Sequence, residues 1–300
     1  MSAFCDLHLH STASDGTDAP HDLPRLCRDA ELSAFALTDH DTTAGLAACA
    51  AAAKKLKIDF VPGIELSANP DLDYTGRPVG TLHLLGHFID PDDPGLAAVT
   101  RRMVDARAER NPRIIEKLNA QGVRITYEQV IDRARALPAA DGERSVETMV
   151  GRPHIAQVLL EAGYVKSIHE AFTKYLGPTG GAYTRRDRLD AAEAIDAIHK
   201  AGGIASLAHP VQLKLPDDAA LERFVAKLVD LGLDGIETRH SDHTPADTQR
   251  FTRLAERFAL GVTGGSDYHG SRKSVRLNSQ EVPRSVYEAL RDTADRTATT

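Results

Sequence analysis

The first chemistry in this chain lies in the run Phe4-Cys5-Asp6-Leu7-His8-Leu9-His10. A short alternating segment reads as a β-strand, on which residues two apart share a face. Both imidazoles then project together while Leu7 and Leu9 turn the other way. Two neutral imidazoles converging from one segment begin a metal site suited to Zn, Mn or Fe. Asp267 and His269 repeat the spacing of two, and further candidates close the other apolar runs. Asp15 follows the first run, His40 ends Thr38-Asp39-His40, and Glu65 ends Pro62-Gly63-Ile64-Glu65. His83 lies within Leu82-His83-Leu84, His209 precedes Pro210, and a sixth run ends in Glu237-Thr238-Arg239-His240. A single histidine at a strand end is more often a hydrogen-bonded structural residue; seven such ends in one register are hard to explain by packing. The donors are nitrogen and oxygen without sulfur, which points away from Cu(I) and iron–sulfur clusters. They are too many for one ion, so two or three divalent ions are implied.

The elements that must position these groups follow from hydrophobic periodicity. Short apolar runs alternate with longer amphipathic ones, the pattern of repeated βα units. Strands are predicted over Phe4–His8, Ala34–Thr38, Ile58–Ile64, Thr81–Ile89, Ile204–Ala208, Gly235–Thr238 and Gly261–Gly264. Helices are predicted over Ala19–Ala30, Thr43–Leu56, Ala191–Ala201, Ala219–Leu231 and Pro245–Phe258. The expected architecture is an α/β barrel from residues 1–93 and 185–300, with candidate ligands at the C-terminal rim of its strands. Residues 94–184 interrupt this pattern as an inserted helical subdomain, with Met103, Ile114, Ile115, Leu118, Val130 and Ile131 at near-helical spacing. From Arg101 to Arg135 there are nine basic and five acidic residues, so the insert would bring cations over the barrel mouth. For any single arginine there, a solvated helix face is an equal reading.

Composition narrows the function. The 300 residues carry 36 basic and 43 acidic side chains, a net charge of −7, which argues against a surface that holds long duplex DNA. Small anionic substrates held by local cations or metal remain open. No basic-then-apolar leader and no bilayer-length apolar run is seen, so a soluble, cytoplasmic protein is expected. Cys5, Cys27 and Cys49 form neither a CxxC pair nor a disulfide framework and read as small buried hydrophobes. Oligomeric state is left open.

Taken together, His8-Leu9-His10-Ser11 with Asp15, Thr38-Asp39-His40, Glu65 after Gly63, and Ser266-Asp267-Tyr268-His269 resemble the motifs of the PHP (polymerase and histidinol phosphatase) family. The resemblance covers residues 2–90 and roughly 185–275, and the long insert with Gly151-Arg152-Pro153-His154 is similar to the branch acting on nucleotides. It implies a distorted (β/α)7 barrel holding two or three divalent ions, Mn first and Fe or Zn as alternatives. One site would be His8, His10, Glu65 and Asp267. A second would share Glu65 as a bridge and add His83 with His209, or His154 in its place; His209 is preferred because it ends an apolar strand. A third would use Asp15, His40 and His269.

The implied reaction is hydrolysis of a nucleotide phosphate monoester, most naturally the 3′-phosphate of a nucleoside 3′,5′-bisphosphate, with 5′→3′ trimming of short RNA as a related activity. A metal-bridging hydroxide beside Glu65 and Asp267 would attack phosphorus, since metal lowers the pKa of bound water from ~15.7 to about 7. His240 is the candidate proton donor to the leaving group. Ser11, Arg152, His154, Arg239 and Arg185 are candidate substrate contacts, arginine suiting phosphate through its bidentate fork. Arg185 and Arg186 follow the Gly177-Pro178-Thr179-Gly180-Gly181 loop, which could close over a substrate. Three alternatives stand beside this reading. One is a small-molecule phosphatase of the histidinol-phosphate type. Another is an amidohydrolase, which would want a bridging lysine where Glu65 stands. The third is a non-catalytic, metal-stabilised interaction module.

Overall fold

Strand β2 (Leu32–Leu37) shows how the sheet sorts its side chains. Ala34 and Ala36 join one buried cluster with Cys5, Leu7 and Val61. Phe35 and Leu37 join another with Leu23 and Cys27 of α1 (Leu23–Asp29) and Leu46 and Cys49 of α2 (Leu46–Leu56). Small residues inside and large ones outside are what a sheet curling on itself and wrapped by helices requires. The computed structural model describes residues 3–70, 80–136, 149–185 and 188–297.

The other strands are β1 (Phe4–Asp6), β3 (Asp59–Ala68), β4 (Leu82–His87), β5 (Ile204–Leu207), β6 (Gly235–Arg239), β7 (Gly261–Gly264) and β8 (Val282–Pro283). Their spatial order is β7-β6-β5-β4-β3-β2-β1-β8. Neighbours run parallel from β1 to β3 and from β5 to β7. The fourth strand departs from a wholly parallel barrel. It runs antiparallel to both β3 and β5, with Ala68 opposite Leu82 and Gly63 opposite His87. An eighth strand, two residues long and antiparallel to β1, adds to the seven predicted. The Leu7 N–H donates to the Gly264 carbonyl at 3.1 Å and Leu9 bridges to Tyr268, bringing the end strand β7 against the chain that leaves β1.

The chain between β4 and β5 is mainly helical. It holds α3 (Pro94–Ala120), α4 (Tyr127–Arg135), α5 (Arg152–Glu161) and α6 (Ile168–Ala171), the last running into a π-helical turn at Phe172–Leu176. Asp93 caps α3 by accepting the Leu96 N–H at 2.7 Å, and Thr126 with Gln129 forms a capping box on α4. α3 belongs to two cores. Leu96 and Met103 pack with the barrel's outer cluster, whereas Ile114, Ile115 and Leu118 pack with Val130, Ile155, Leu159 and Leu176 in a separate one.

The remaining helices are α7 (Ala191–Lys200), α8 (Asp218–Asp230), α9 (Pro245–Phe258) and α10 (Arg284–Thr297). α10 touches β1, β2, β5, β7 and β8, and its Tyr287, Leu290 and Ala294 complete the interior cluster, closing the end away from the ligand rim. Predicted and observed bounds agree at α9 and β7, while α1 begins at Leu23 after turns rather than at Ala19. All three cysteines are free and buried. Among the described residues, no helix is long and apolar enough to cross a membrane.

Candidate metal centre

β1 stops at Asp6, two residues before the first histidine. Beyond it the backbone leaves the regular ladder for the exit of β7. His8 O accepts the Asp267 N–H at 2.9 Å, and the His10 N–H donates to Tyr268 O at 2.9 Å. Leu7 and Leu9 therefore fall in different clusters, not on one face as an uninterrupted strand would place them. The imidazoles of His8 and His10 nonetheless lie together, with ring centroids 5.2 Å apart. Asp6 secures this crossing by accepting the Ser266 N–H at 2.8 Å, and burial pushes its pKa up to about 6. Gly265 makes room for it: a Cβ there would sit 2.4 Å from the His8 Cβ.

Glu65, inside β3 rather than at its end, is the point on which the candidate ligands converge. Its Oε1 lies 2.6 Å from His83 Nδ1 and 2.8 Å from His209 Nε2. Its Oε2 lies 3.0 Å from His40 Nδ1, 3.2 Å from His10 Nε2 and 3.3 Å from His8 Nε2. His83 reaches this rim because β4 is reversed, which puts its second residue where the other strands have their last. A second carboxylate, Asp267, lies 3.3 Å from His10 Nε2 and 3.6 Å from His8 Nε2 through Oδ1, and 3.3 Å from His240 Nε2 through Oδ2. Asp15 lies 3.3 Å from His269 Nε2, and its group also includes His10 and His40.

The donor atoms fit cations better than they fit one another. His8 Nε2, both ring nitrogens of His10, His40 Nδ1, His209 Nδ1, His240 Nε2 and Glu65 Oε2 are buried without a hydrogen-bond partner. An unsatisfied buried polar group costs about 1–3 kcal/mol, so packing alone is a poor account of so many facing each other. Four sets of donors lie within 4.8 Å of one another: His10, Asp15, His40 and His269; His8, His10 and Glu65; His40, Glu65 and His83; and His8, Glu237 and His240. Glu65 belongs to two of them, the position of a bridging ligand. Burial pushes Glu65 up, yet the imidazoles of His40, His83 and His8 outweigh it and hold the carboxyl well below the usual carboxylate range. Burial lowers His83 to about 3 and His269 to about 4, leaving both neutral and able to ligate at pH 7.

Above His40 and His83 opens a cleft whose other walls carry Arg107, Arg110, Arg152, Arg188 and Phe172. Of the expected substrate contacts, the cleft includes Arg152 but not Ser11, His154, Arg239 or Arg185. Ser11 is fully buried, its hydroxyl donating to Asp39 at 2.6 Å. His154 is buried at the start of α5, where its Nδ1 accepts the Gly151 N–H at 3.1 Å, and burial lowers its pKa to about 4. Arg239 is exposed and donates to Gln280 O at 3.2 Å; Arg185 is exposed as well. Arg186 lies outside the described residues.

Two residues at the centre escaped sequence reasoning, and a third, Glu237, stood in a candidate run without a role of its own. Arg107 of α3 pairs with Asp41, which also accepts the Ser67 N–H at 2.7 Å, tying the long helix to the rim. Lys273 pairs with Asp267, from a turn six residues beyond it. Glu237 accepts from His8 Nδ1 at 2.9 Å and is wholly buried. The legible signal for Glu237 was a carboxylate inside an otherwise apolar strand, overshadowed there by Arg239 and His240.

The geometry agrees with the comparisons. The PHP domain family matches residues 6–209. A 5′-3′ exoribonuclease of Haemophilus influenzae is 35% identical over 90% of this chain and 91% of its own. A phosphoribosyl 1,2-cyclic phosphate 1,2-diphosphodiesterase of Eggerthella lenta is 34% identical over 88% and 94%. A 3′,5′-nucleoside bisphosphate phosphatase of Chromobacterium violaceum is 33% identical over 91% and 90%. Among solved structures, a Bifidobacterium adolescentis protein described as a metal-dependent phosphoesterase superposes with a TM-score of 0.81 at 29% identity, covering 95% of this chain and 94% of that one.

Proposed function

Because the chain belongs to the PHP family and is a metal-dependent phosphoester hydrolase, we propose that it removes a phosphate from a nucleotide bearing a second phosphate. The 3′-phosphate of a nucleoside 3′,5′-bisphosphate is the preferred target, and 5′-phosphorylated short RNA is a related one. The observation that carries this reading is Arg152. Its guanidinium lies 5.7 Å from the Phe172 ring and 5.9 Å from the Tyr183 ring, and Nη1 donates to Leu176 O at 3.0 Å. Among the described residues no carboxylate pairs with it. Burial, then the neighbouring Arg188 and Arg107, push its pKa down to about 10, so it stays cationic at pH 7. A guanidinium held beside the candidate metal ligands, with no carboxylate partner among the described residues, suits an anion other than the phosphoryl group under attack.

In this reading His8, His10, Glu65 and Asp267 hold one ion, Glu65 with His83 and His209 a second, and Asp15, His40 and His269 a third, with Mn the preferred metal. When bound, such ions supply Lewis-acid stabilisation at the phosphoryl oxygens and lower the pKa of the attacking water. Glu65 and Asp267 both face the Nε2 atoms of His8 and His10 and would share that pair as ligands. His240 Nδ1 accepts the Asp242 N–H at 2.9 Å, which leaves its own proton on Nε2, facing Asp267, for the departing oxygen. Residues 94–184 act as a cap on a barrel made by 1–93 and 185–300, with Arg152 and Arg107 as its substrate-facing cations. His154 supports the start of α5, beside Arg152; Ser11 braces the loop that carries Asp15; Arg239 and Arg185 serve a longer substrate at the margin. Free, buried cysteines and nucleotide substrates fit the cytoplasm.

The test is release of phosphate from adenosine 3′,5′-bisphosphate, a phosphoribosyl 1,2-cyclic phosphate and histidinol phosphate, and of nucleoside 5′-monophosphate from a 5′-phosphorylated oligoribonucleotide, by Mn-loaded protein with Asp267→Asn as the blank. Release from the bisphosphate that vanishes in the variant is expected. Turnover of the cyclic phosphate or of histidinol phosphate alone would overturn the assignment of substrate.

A further inference from the structure

Glu237 sits in β6, and each of its carboxylate oxygens is committed to a different candidate ligand. Oε1 accepts from His8 Nδ1 at 2.9 Å, and Oε2 accepts the backbone N–H of His209 at 2.7 Å. His209 has φ +25° and ψ +68°, a sparsely populated conformation that costs of order 1–3 kcal/mol and persists only where the surroundings impose it. Its Nε2 nevertheless reaches Glu65 at 2.8 Å, while His8 Nε2 lies 3.3 Å from the same carboxylate with no hydrogen-bond partner.

We propose that Glu237 is a positioning residue that fixes the His8 proton on Nδ1 and clamps the strained His209 backbone, so that one buried carboxylate aims two imidazoles at the Glu65 centre. The inference rests on the metal-centre reading above. An ionised carboxylate only accepts, so its partner nitrogen must carry the proton and Nε2 must present its lone pair. Outer partners of this kind set the tautomer of a metal-binding imidazole, and their loss typically costs 10–100-fold in metal affinity. Glu237 also lies within ligand distance of His8 and His240. With both oxygens already taken by N–H donors, it acts as a clamp rather than as a ligand.

Glutamine is the discriminating substitution. It keeps the shape but has a single acceptor oxygen, so one of the two N–H groups must face an NH2. The experiment uses the full chain labelled with ¹⁵N-histidine and loaded with Zn, which is diamagnetic, together with chelator competition for metal affinity. Wild type is expected to show a hydrogen-bonded, slowly exchanging His8 Nδ1–H. Glu237→Gln is expected to bind Zn about 10–100-fold more weakly with an unchanged circular dichroism spectrum. Glu237→Asp, which retains two acceptors, should recover part of that loss. Wild-type affinity in Glu237→Gln with the His8 Nδ1–H intact would overturn the clamp. So would the absence of that proton in wild type, a readout that does not depend on any variant folding. Failure of wild type to take up Zn at all would instead overturn the metal-centre reading beneath it.

Discussion

Gly265→Ala isolates the backbone crossing that brings the β7 exit against His8. A methyl group there would lie 2.4 Å from His8 Cβ, 2.5 Å from His8 N and 2.8 Å from Asp6 Oδ1. Ordinary contact begins at 3.4 Å, so the two segments must part by about 1 Å. Two of the three atoms are backbone or Cβ and cannot swing aside, so rotamer change offers no relief. Overpacking of this kind costs about 1–3 kcal/mol. For a chain of this size that corresponds to a Tm lower by roughly 2–12 °C. The same displacement moves a candidate metal-binding imidazole, and a misplacement of about 1 Å can cost on the order of 100-fold in rate. Differential scanning calorimetry of the metal-free protein reads the first effect, and kcat/KM of the loaded enzyme reads the second. Gly261→Ala, in the strand that leads into Gly265, is the control, because its Cβ would meet only Asp234 O at 3.4 Å. A Gly265→Ala protein matching wild type in both measurements would refute the close approach, and with it the account of why β1 ends early.

Chelation followed by dialysis should lower Tm, since ligand at about 100 times its Kd contributes about 2.7 kcal/mol to the folded state. Manganese should restore it, and a Tm indifferent to both steps would count against the centre. Arg152→Met should raise KM for a bisphosphate by about 10–150-fold, the range for a hydrogen bond to a charged group, while sparing a substrate with one phosphate. Equal losses on both substrates would remove Arg152 from recognition. His199 donates to Asp234 at 2.8 Å, and that bond raises its pKa. The stability it adds is fully present below the unfolded value of about 6.5 and is lost as pH rises through the higher folded value. Half-exposed, it is worth under about 1 kcal/mol. The stability gap between wild type and His199→Gln should therefore close as pH rises from 6 towards 9, and a gap that widened would contradict the sign.

Strand and helix identity was legible because apolar alternation and amphipathic spacing report burial directly, as at α9 and β7. Strand direction was not: the run Leu82–His87 reads the same either way, and only its pairing with Ala68 and Leu207 reveals the reversal. Val282–Pro283 was too short to carry any period. The histidines and Glu65 stood out because imidazoles and carboxylates at the ends of apolar strands are costly unless they have a purpose. Arg107 and Lys273 did not stand out. One is a single arginine on a basic helix and the other lies in a turn, and only the tertiary fold shows that each meets an aspartate of the rim. Glu237 was visible as a residue but not as a role, since what it does depends on His8, which is remote in the chain.

The reversal of β4 has a consequence for how such a protein can diversify. Because this strand descends while its neighbours ascend, the chain leaves it at the end opposite the rim. α3, with 27 residues and thus about 40 Å of rise, then climbs the outer wall before the next helices are laid over the cleft. The roof is hung from a mast rooted on the far side, not threaded through the rim loops. Apart from Arg107, which pairs with Asp41 beside His40, its residues can be replaced or re-charged without disturbing the loops that carry the histidines. An unchanged centre beneath a roof of different residues would meet a different substrate.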